Sequence, residues 1–322
     1  MLMTNFKFIY HKNFDAVFNM ACEEYLLKQT DGYYIRLYLN EPSVIIGSNQ
    51  NTLLEVNLKE CEKLGVKVVR RLSGGGAVYH DLNNINYSII APYNAQEDGY
   101  IKFCAPVIKY LNSIGVKAEF SGRNDITVDG KKISGNAQVI YKDRILHHGT
   151  LLFDTNLEVL EKVLIQNEIK VKAKGVKSIR ARVTNIKEHT SISSKDFFEG
   201  LKNHLQADFE GYNFSKQDEL NINKLIDEKY STYEWNVGAS LKGNNRVDIR
   251  CSFGTLTLAF DLENGLIKNA EIFGDFFGGG ATEFIKNLNG KRYLKDDLLL
   301  AFNGIENYIK GATASEIVSK LF

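Results

Sequence analysis

Short β-prone runs alternate with helix-spaced apolar residues along the first half of the chain. Tyr34–Leu39 and Ser43–Gly47 read as two strands broken by Glu41-Pro42. Leu54, Leu58, Cys61 and Leu64, spaced by 4, 3 and 3 residues, share one face and predict a single helix. Lys67–Leu72 reads as a strand running into three glycines, and Ile85–Ala91 as another. Phe103, Val107, Leu111 and Ile114 mark a second helix, followed by a strand around Val116–Phe120. Asp129-Gly130 separates two β-prone runs. Both central residues of a tight hairpin turn need positive φ, which these two tolerate. The hairpin places Lys132 just inside its second strand. Ile145–Phe153 then reads as a strand and Leu157–Leu164 as a helix.

The pattern changes after residue 166. The run IKVKAKGVKSIRARVTNI has no clear period and carries six Lys or Arg, so a mobile basic loop or linker is expected there. Amphipathic helices follow near 194–206 and 215–228. Strands are expected at 246–252, 254–262 and 266–273, punctuated by Gly254 and Asn264-Gly265, and a helical tail over 281–322. The order predicts a larger domain over 1–190 and a small α+β domain over 191–322, with the boundary somewhere in 187–212.

Composition narrows the function classes. At 322 residues, 44% hydrophobic and 25% charged, the chain buries a substantial core. A net charge of +1 speaks against a general nucleic-acid binder, while leaving room for a local basic patch. Cys22, Cys61, Cys104 and Cys251 lie far apart, without metal-ligand spacing, and read as reduced buried thiols. No metal site is expected. The N-terminus has no signal-peptide run, and no window approaches the roughly 20 apolar residues of a membrane span. A cytoplasmic protein off the membrane is expected.

The strongest chemical signal is Arg70-Arg71-Leu72-Ser73-Gly74-Gly75-Gly76-Ala77-Val78-Tyr79-His80-Asp81. Three glycines after a β-branched run let the backbone approach a ligand and turn several N–H groups one way, as a phosphate or carboxylate requires. The alternative is a tight glycine turn, which the paired arginines make less attractive. There is no Gly-Lys-Ser/Thr ending, and Tyr79 stands where a dinucleotide fingerprint needs its last glycine. Ser73 lacks a Gly-x-Ser-x-Gly elbow, so no hydrolase triad is expected, and no cysteine lies in or beside the motifs. A second cluster joins Gly122-Arg123-Asn124-Asp125 to Gly130-Lys131-Lys132-Ile133-Ser134-Gly135-Asn136-Ala137. A rigidly held lysine there could steady a phosphoryl group while charge builds on it, although a lone hairpin lysine is more often a surface residue. In the third cluster, His147-His148-Gly149-Thr150, neighbouring histidines on a strand face opposite ways and cannot share a metal. One is expected to pack and the other to face the site.

In this order the clusters resemble the lipoate–protein ligase family, within the biotin/lipoate ligase and transferase fold. RRLSGGGAVYHD is similar to its lipoate-binding glycine motif, GRNDI with GKKISGNA to the segment carrying the active-site lysine, and VKSIRARVTNI to its adenylate-binding loop. Asn19–Glu24, PSVIIGSNQN, YEWNVG and IFGDFF give further matches, so the resemblance spans nearly the whole chain. It implies an α+β fold: a large catalytic domain of mixed and antiparallel sheets with flanking helices, plus a small accessory domain. It also implies ATP with Mg²⁺, a lipoyl-AMP intermediate, and transfer to a lysine of lipoyl domains. The acceptors would be 2-oxoacid dehydrogenase E2 subunits or the glycine-cleavage H protein, and the ligase a monomer.

By that resemblance Lys132 is the catalytic charge clamp. Arg71, Ser73, Gly74, Gly75, Gly76, Ala77, Val78, Tyr79, Asn124, Asp125, His148 and Thr150 would bind the acid or the nucleotide. The basic loop would close over the adenylate and keep water from it. Ser48 stands where relatives carry arginine, and Asn83 where they carry glycine. An octanoyltransferase or amidotransferase of the same fold is the nearest alternative; such enzymes use a cysteine thioester and lack the accessory domain. A GRGRxGR-type biotin ligase loop is absent, and a non-catalytic lipoyl carrier is a minor alternative.

Overall fold

The computed structural model describes residues 6–122, 124–165, 182–207, 209–237, 245–264 and 266–322. Strands are β1 (Phe6–Ile9), β2 (Tyr33–Leu39), β3 (Ser43–Ile46), β4 (Lys67–Arg70), β5 (Val78–His80), β6 (Asn84–Pro92) and β7 (Glu119–Ser121). They continue as β8 (Asp125–Val128), β9 (Lys131–Tyr141), β10 (Arg144–Leu152), β11 (Glu210–Gly211), β12 (Asn245–Cys251), β13 (Gly254–Glu263) and β14 (Leu266–Gly274). Among the helices, α1 is Ala16–Lys28, α2 Thr52–Glu55, α3 Leu58–Leu64, α4 Gly99–Ser113, α5 Leu157–Val163, α6 Ser194–Gln206 and α7 Lys216–Leu225.

The main sheet has the order β11-β1-β2-β6-β10-β9-β8-β7. Pairing is parallel at the β11-β1-β2 edge and antiparallel across the rest. Side chains alternate across it, so each face collects one parity of each strand. One face carries Ile35 and Leu37, then Tyr87, Ile89 and Leu151, against α4 and α6. The other carries Tyr34, Tyr38, Ile90 and Leu146 against α1 and α7. A small sheet, β4-β3-β5, stands beside this second face and packs its far side on α3 and α5.

The expected single helix over 54–64 is two. Val56 leaves the helical path to bridge Leu164, and the Asn57 side chain then accepts from Glu60 N at 3.2 Å, starting α3. A cap and a bridge override the apolar spacing there. The expected strand at 116–120 is reduced to Glu119–Ser121.

Helices α6 and α7 contribute Phe197, Leu201 and Leu205 to the first core and Ile222 to the second. The antiparallel β12-β13-β14 sheet and the short helices after it form a separate core, from Ile249 to Val318. This unit meets the rest at the glycine loop. Gly75 N donates to Phe276 O at 3.2 Å, and Gly274 N to Asn49 O at 2.6 Å.

Candidate active site

A cavity of about 240 Å³ opens between the α1 face of the main sheet, β5 and the glycine loop. Among the sequence-predicted residues, Arg71, Gly75, Gly76, Ala77, Val78, Asn124, Asp125, Lys132, His148 and Thr150 line it. Gly74, Ser73 and Tyr79 do not. Tyr79 alternates away from Val78 and His80 along β5, and its ring joins the core under the small sheet. Arg123 and most of the basic loop, 166–181, lie outside the described residues.

Lys132 reaches the cavity through an irregularity. In the β8–β9 hairpin, Asp129 and Gly130 have φ of 50° and 73°, the backbone a two-residue turn needs. Pairing runs Val128 with Lys131 and Thr127 with Lys132, then jumps to Ile126 with Ser134. Ile133 is thus a bulged residue, and the parity of the strand reverses at it. Ile133 is buried in the α4-side core, while Lys132 shares the cavity face with Gly135 and Ala137. Lys132 Nζ pairs with Asp125 Oδ1 at 2.8 Å. The Lys132 peptide is held by Arg182 and Thr184: its N–H donates to Arg182 O at 2.9 Å, and its carbonyl accepts from Thr184 N at 3.0 Å. The chain returning from the basic segment is therefore strand-paired to the lysine itself. Asn124 exchanges hydrogen bonds with Asn136, and Gly135 N donates to Thr150 Oγ1 at 3.3 Å, which ties β8, β9 and β10 together beneath the site.

Both arginines of the glycine motif are consumed by the protein. Arg71 donates through Nε to Ser73 Oγ, through Nη1 to Ile45 O, and through Nη2 to Gly74 O and Gly76 O. Burial lowers its pKa to about 10, still charged at neutral pH. Its role is to hold the loop's carbonyls inward, which leaves loop N–H groups for a ligand. Arg70 instead reaches Gly47 O, Gln50 O and Trp235 O, fastening β4 to the segment after α7.

A buried chain of polar groups backs the loop. Ser73 Oγ lies 2.6 Å from His148 Nε2, and His148 Nδ1 lies 2.8 Å from Glu23 Oε2. Tyr38 Oη donates to Glu23 Oε1 at 2.9 Å. Burial would raise the Glu23 carboxyl, but His148, Arg36 and Tyr38 outweigh it and hold it below the usual carboxylate range. No sequence motif announces this serine–histidine–carboxylate series. Ser73 is fully buried and its oxygen takes the Arg71 N–H, so the series braces the loop instead of presenting a nucleophile. His147 turns to the opposite face, among Tyr87, Tyr100 and Phe103.

Met20, Tyr38 and Asn86 line the cavity from outside the three clusters, because sequence spacing does not bring distant strands together; His80 and Asn136 lie within clusters but had been given no role of their own. Asp275 and Phe277 come from the C-terminal unit, where IFGDFF offers only a further match to the family and no site residue. No cysteine lines the cavity. Burial raises Cys22, Cys104 and Cys251 to about 12 and Cys61 to about 11, far from a reactive thiolate. Among the described residues no cluster of three His, Cys, Asp or Glu could hold a metal. No described helix is long and apolar enough to cross a membrane.

Comparison with known proteins agrees with this geometry. Residues 15–206 match the family model for the lipoyl protein ligase A/B catalytic domain, and 240–321 that for the bacterial lipoate protein ligase C-terminus. The lipoate-protein ligase LplJ of Bacillus subtilis is 40% identical over 96% of this chain and 97% of its own length. Among solved structures, Plasmodium falciparum LipL1 in complex with lipoate superposes with a TM-score of 0.78 at 27% identity, covering 98% of this chain and 96% of that one. A lipoate-protein ligase A bound with ATP gives 0.65 at 28% identity, covering 73% of this chain and 100% of that one. With a cavity walled by a braced glycine loop and one hairpin lysine, and with both of its parts matched, the chain belongs to the lipoate–protein ligase family.

Proposed function

We propose that this chain joins lipoate to a lysine of an acceptor lipoyl domain, using Mg-ATP, in two steps at the cavity described above. A lipoate carboxylate oxygen attacks the α-phosphorus of ATP, and the bond to the bridging oxygen breaks, releasing pyrophosphate. The acceptor lysine's neutral ε-amine then attacks the acyl carbon of lipoyl-AMP; AMP leaves and the amine proton goes to solvent. The single observation that carries this reading is Lys132, a cavity-facing ammonium set opposite the glycine loop on a bulged strand. Fixed there, it would bridge the acyl oxygen and the α-phosphate, where negative charge accumulates. Arg71 would keep the loop's N–H groups turned toward the ligand, while Gly76, Ala77 and Val78 supply backbone contact. Asp125 would hold the lysine in place until substrate arrives.

Lipoate bound to LipL1 and ATP bound to the ligase A relative support the two substrates. Mg²⁺ would arrive on the nucleotide's phosphates, as a part of the substrate. Acceptors would be lipoyl domains of 2-oxoacid dehydrogenase E2 subunits or the glycine-cleavage H protein, modified in the cytoplasm by a monomeric ligase. A transferase working through an acyl-cysteine is disfavoured because all four thiols are buried. We further propose that α6 and α7 belong to the N-terminal domain, so that the boundary falls C-terminal to α7: both helices pack in the N-terminal cores, and the C-terminal core starts at Ile249.

The test is lipoate-dependent ATP–pyrophosphate exchange, together with the intact mass of an apo lipoyl domain, for Lys132→Ala. A loss of about 100-fold or more with unchanged thermal stability is expected. Near wild-type exchange would overturn the role given to Lys132.

A further inference from the structure

His80 is among the residues that line the cavity, and its hydrogen-bonding polarity is fixed by a buried relay. Arg36 can only donate, and its Nη2 lies 3.0 Å from Asn19 Oδ1. Asn19 Nδ2 accordingly faces two backbone acceptors, Asn13 O at 2.9 Å and Leu39 O at 3.2 Å. The same Nδ2 donates to Asn40 Oδ1 at 2.9 Å, which leaves Asn40 Nδ2 to donate to His80 Nδ1 at 3.0 Å. A neutral imidazole that accepts at Nδ1 carries its hydrogen on Nε2. Burial, then Arg71 and His148 nearby, push the His80 pKa down to about 3, so the ring is neutral at any working pH.

The His80 ring lines the cavity, the residue is 3% exposed, and Nε2 has no partner among the described residues. A buried N–H of known direction, with nothing to receive it, is a recognition element for an acceptor atom. Its position says which part of the acid it meets. His80 bonds to Asn40, the residue following β2, whereas Lys132 lies on β9, three strands away across β6 and β10. Three spacings make roughly 14 Å, less the reach of the side chains. An acid whose carboxylate lies at Lys132 directs its far end toward His80.

We propose that His80 Nε2–H reads the tail of the acid, favouring medium-chain acids that carry an acceptor atom there over plain alkyl acids. The acceptor is a cyclic-disulfide sulfur or an oxygen, and Asn19 and Asn40 are positioning residues that hold the tautomer. The proposal rests on the acid-activating reading above and deepens it. A binding site built around a hydrogen bond rejects ligands that leave its donor unpaired, more strongly than a greasy pocket rejects a missing methylene.

Two measurements test it. In ¹⁵N-imidazole NMR of the wild-type protein, His80 is expected as the Nε2–H tautomer; an Nδ1–H signature overturns the proposal, and Asn40→Asp is expected to shift the tautomer signal. In ATP–pyrophosphate exchange, the wild-type KM for octanoate is expected about tenfold above that for lipoate. His80→Phe should reduce that ratio to about threefold or less by raising the lipoate KM, with kcat little changed. An unchanged ratio in folded His80→Phe overturns the proposal. Should that variant not fold, wild-type protein decides: 8-hydroxyoctanoate is expected to bind about fivefold tighter than octanoate by calorimetry, and equal or weaker binding overturns it. If the wild-type protein exchanges with no acid at all, the activation reading fails, a result separate from the tautomer measurement.

Discussion

Lys132 lies directly across Gly135: a Cβ built on Gly135 would stand 2.7 Å from Lys132 Nζ and 2.9 Å from Cε. The glycine is the floor on which the ammonium rests. Gly135→Ala is therefore expected to push the flexible lysine head aside without disturbing the sheet. Lipoate-dependent pyrophosphate exchange should fall about 100-fold, because a misplacement of an ångström is enough to cost that much. The melting temperature should barely move. Wild-type exchange in this variant would mean that the lysine's resting place is irrelevant to activation.

Arg71 holds three carbonyls and a hydroxyl with a planar fork that lysine cannot reproduce. Arg71→Lys is expected to lose about 2–3 kcal/mol in urea unfolding, since the buried acceptors lose their partners. Exchange activity should drop in parallel. A variant as stable as wild type would show that the loop keeps its shape unaided.

The neutral burial of two histidines makes stability depend on pH. Burial lowers both His80 and His147 to about 3, against an ordinary value near 6.5. Between these limits the unfolded chain takes up protons that the folded one refuses. Stability is then full above about pH 6.5 and declines as pH falls toward 3. Each group adds a slope of roughly 1.4 kcal/mol per pH unit, about 2.7 for the pair. Denaturant unfolding at pH 6 and pH 5 measures it, and His147→Asn should roughly halve the slope. A flat profile would show that these rings titrate normally.

Gly74 meets the C-terminal unit so closely that a Cβ would fall 2.3 Å from Phe276 O. Backbone cannot give way as a side chain does, so Gly74→Ala should lift the 274–277 segment off the loop. Hydrogen exchange at Gly75 and Gly274, whose amides bond across this contact, should accelerate by about tenfold or more. Undiminished protection at both amides would contradict the contact.

Most strands and the hairpin turn were legible because their signals are local: alternation, Asp129-Gly130, and breaks at glycine and proline. The two histidines were also legible, since strand parity alone sends His147 and His148 to opposite faces. Features made by distant chain were not. Nothing near Ser73 announces Glu23, which is a neighbour only after α1 packs on the sheet. The helix expected over 54–64 failed for the same reason, because its break depends on Val56 meeting Leu164. Asp275 and Phe277 belong to the cavity only through contact between separate cores.

The bulge at Ile133 makes the chemistry of this chain a matter of counting. Were these same residues paired back from Gly135 without the bulge, strict alternation would turn the Lys132 ammonium toward an oily core and Ile133 toward the cavity; the extra residue taken up there keeps Lys132 opposite Thr127, on the cavity side. A slip of register in this hairpin thus matters as much as a change of side chain, and a drifting sequence can lose its ligase while keeping its fold.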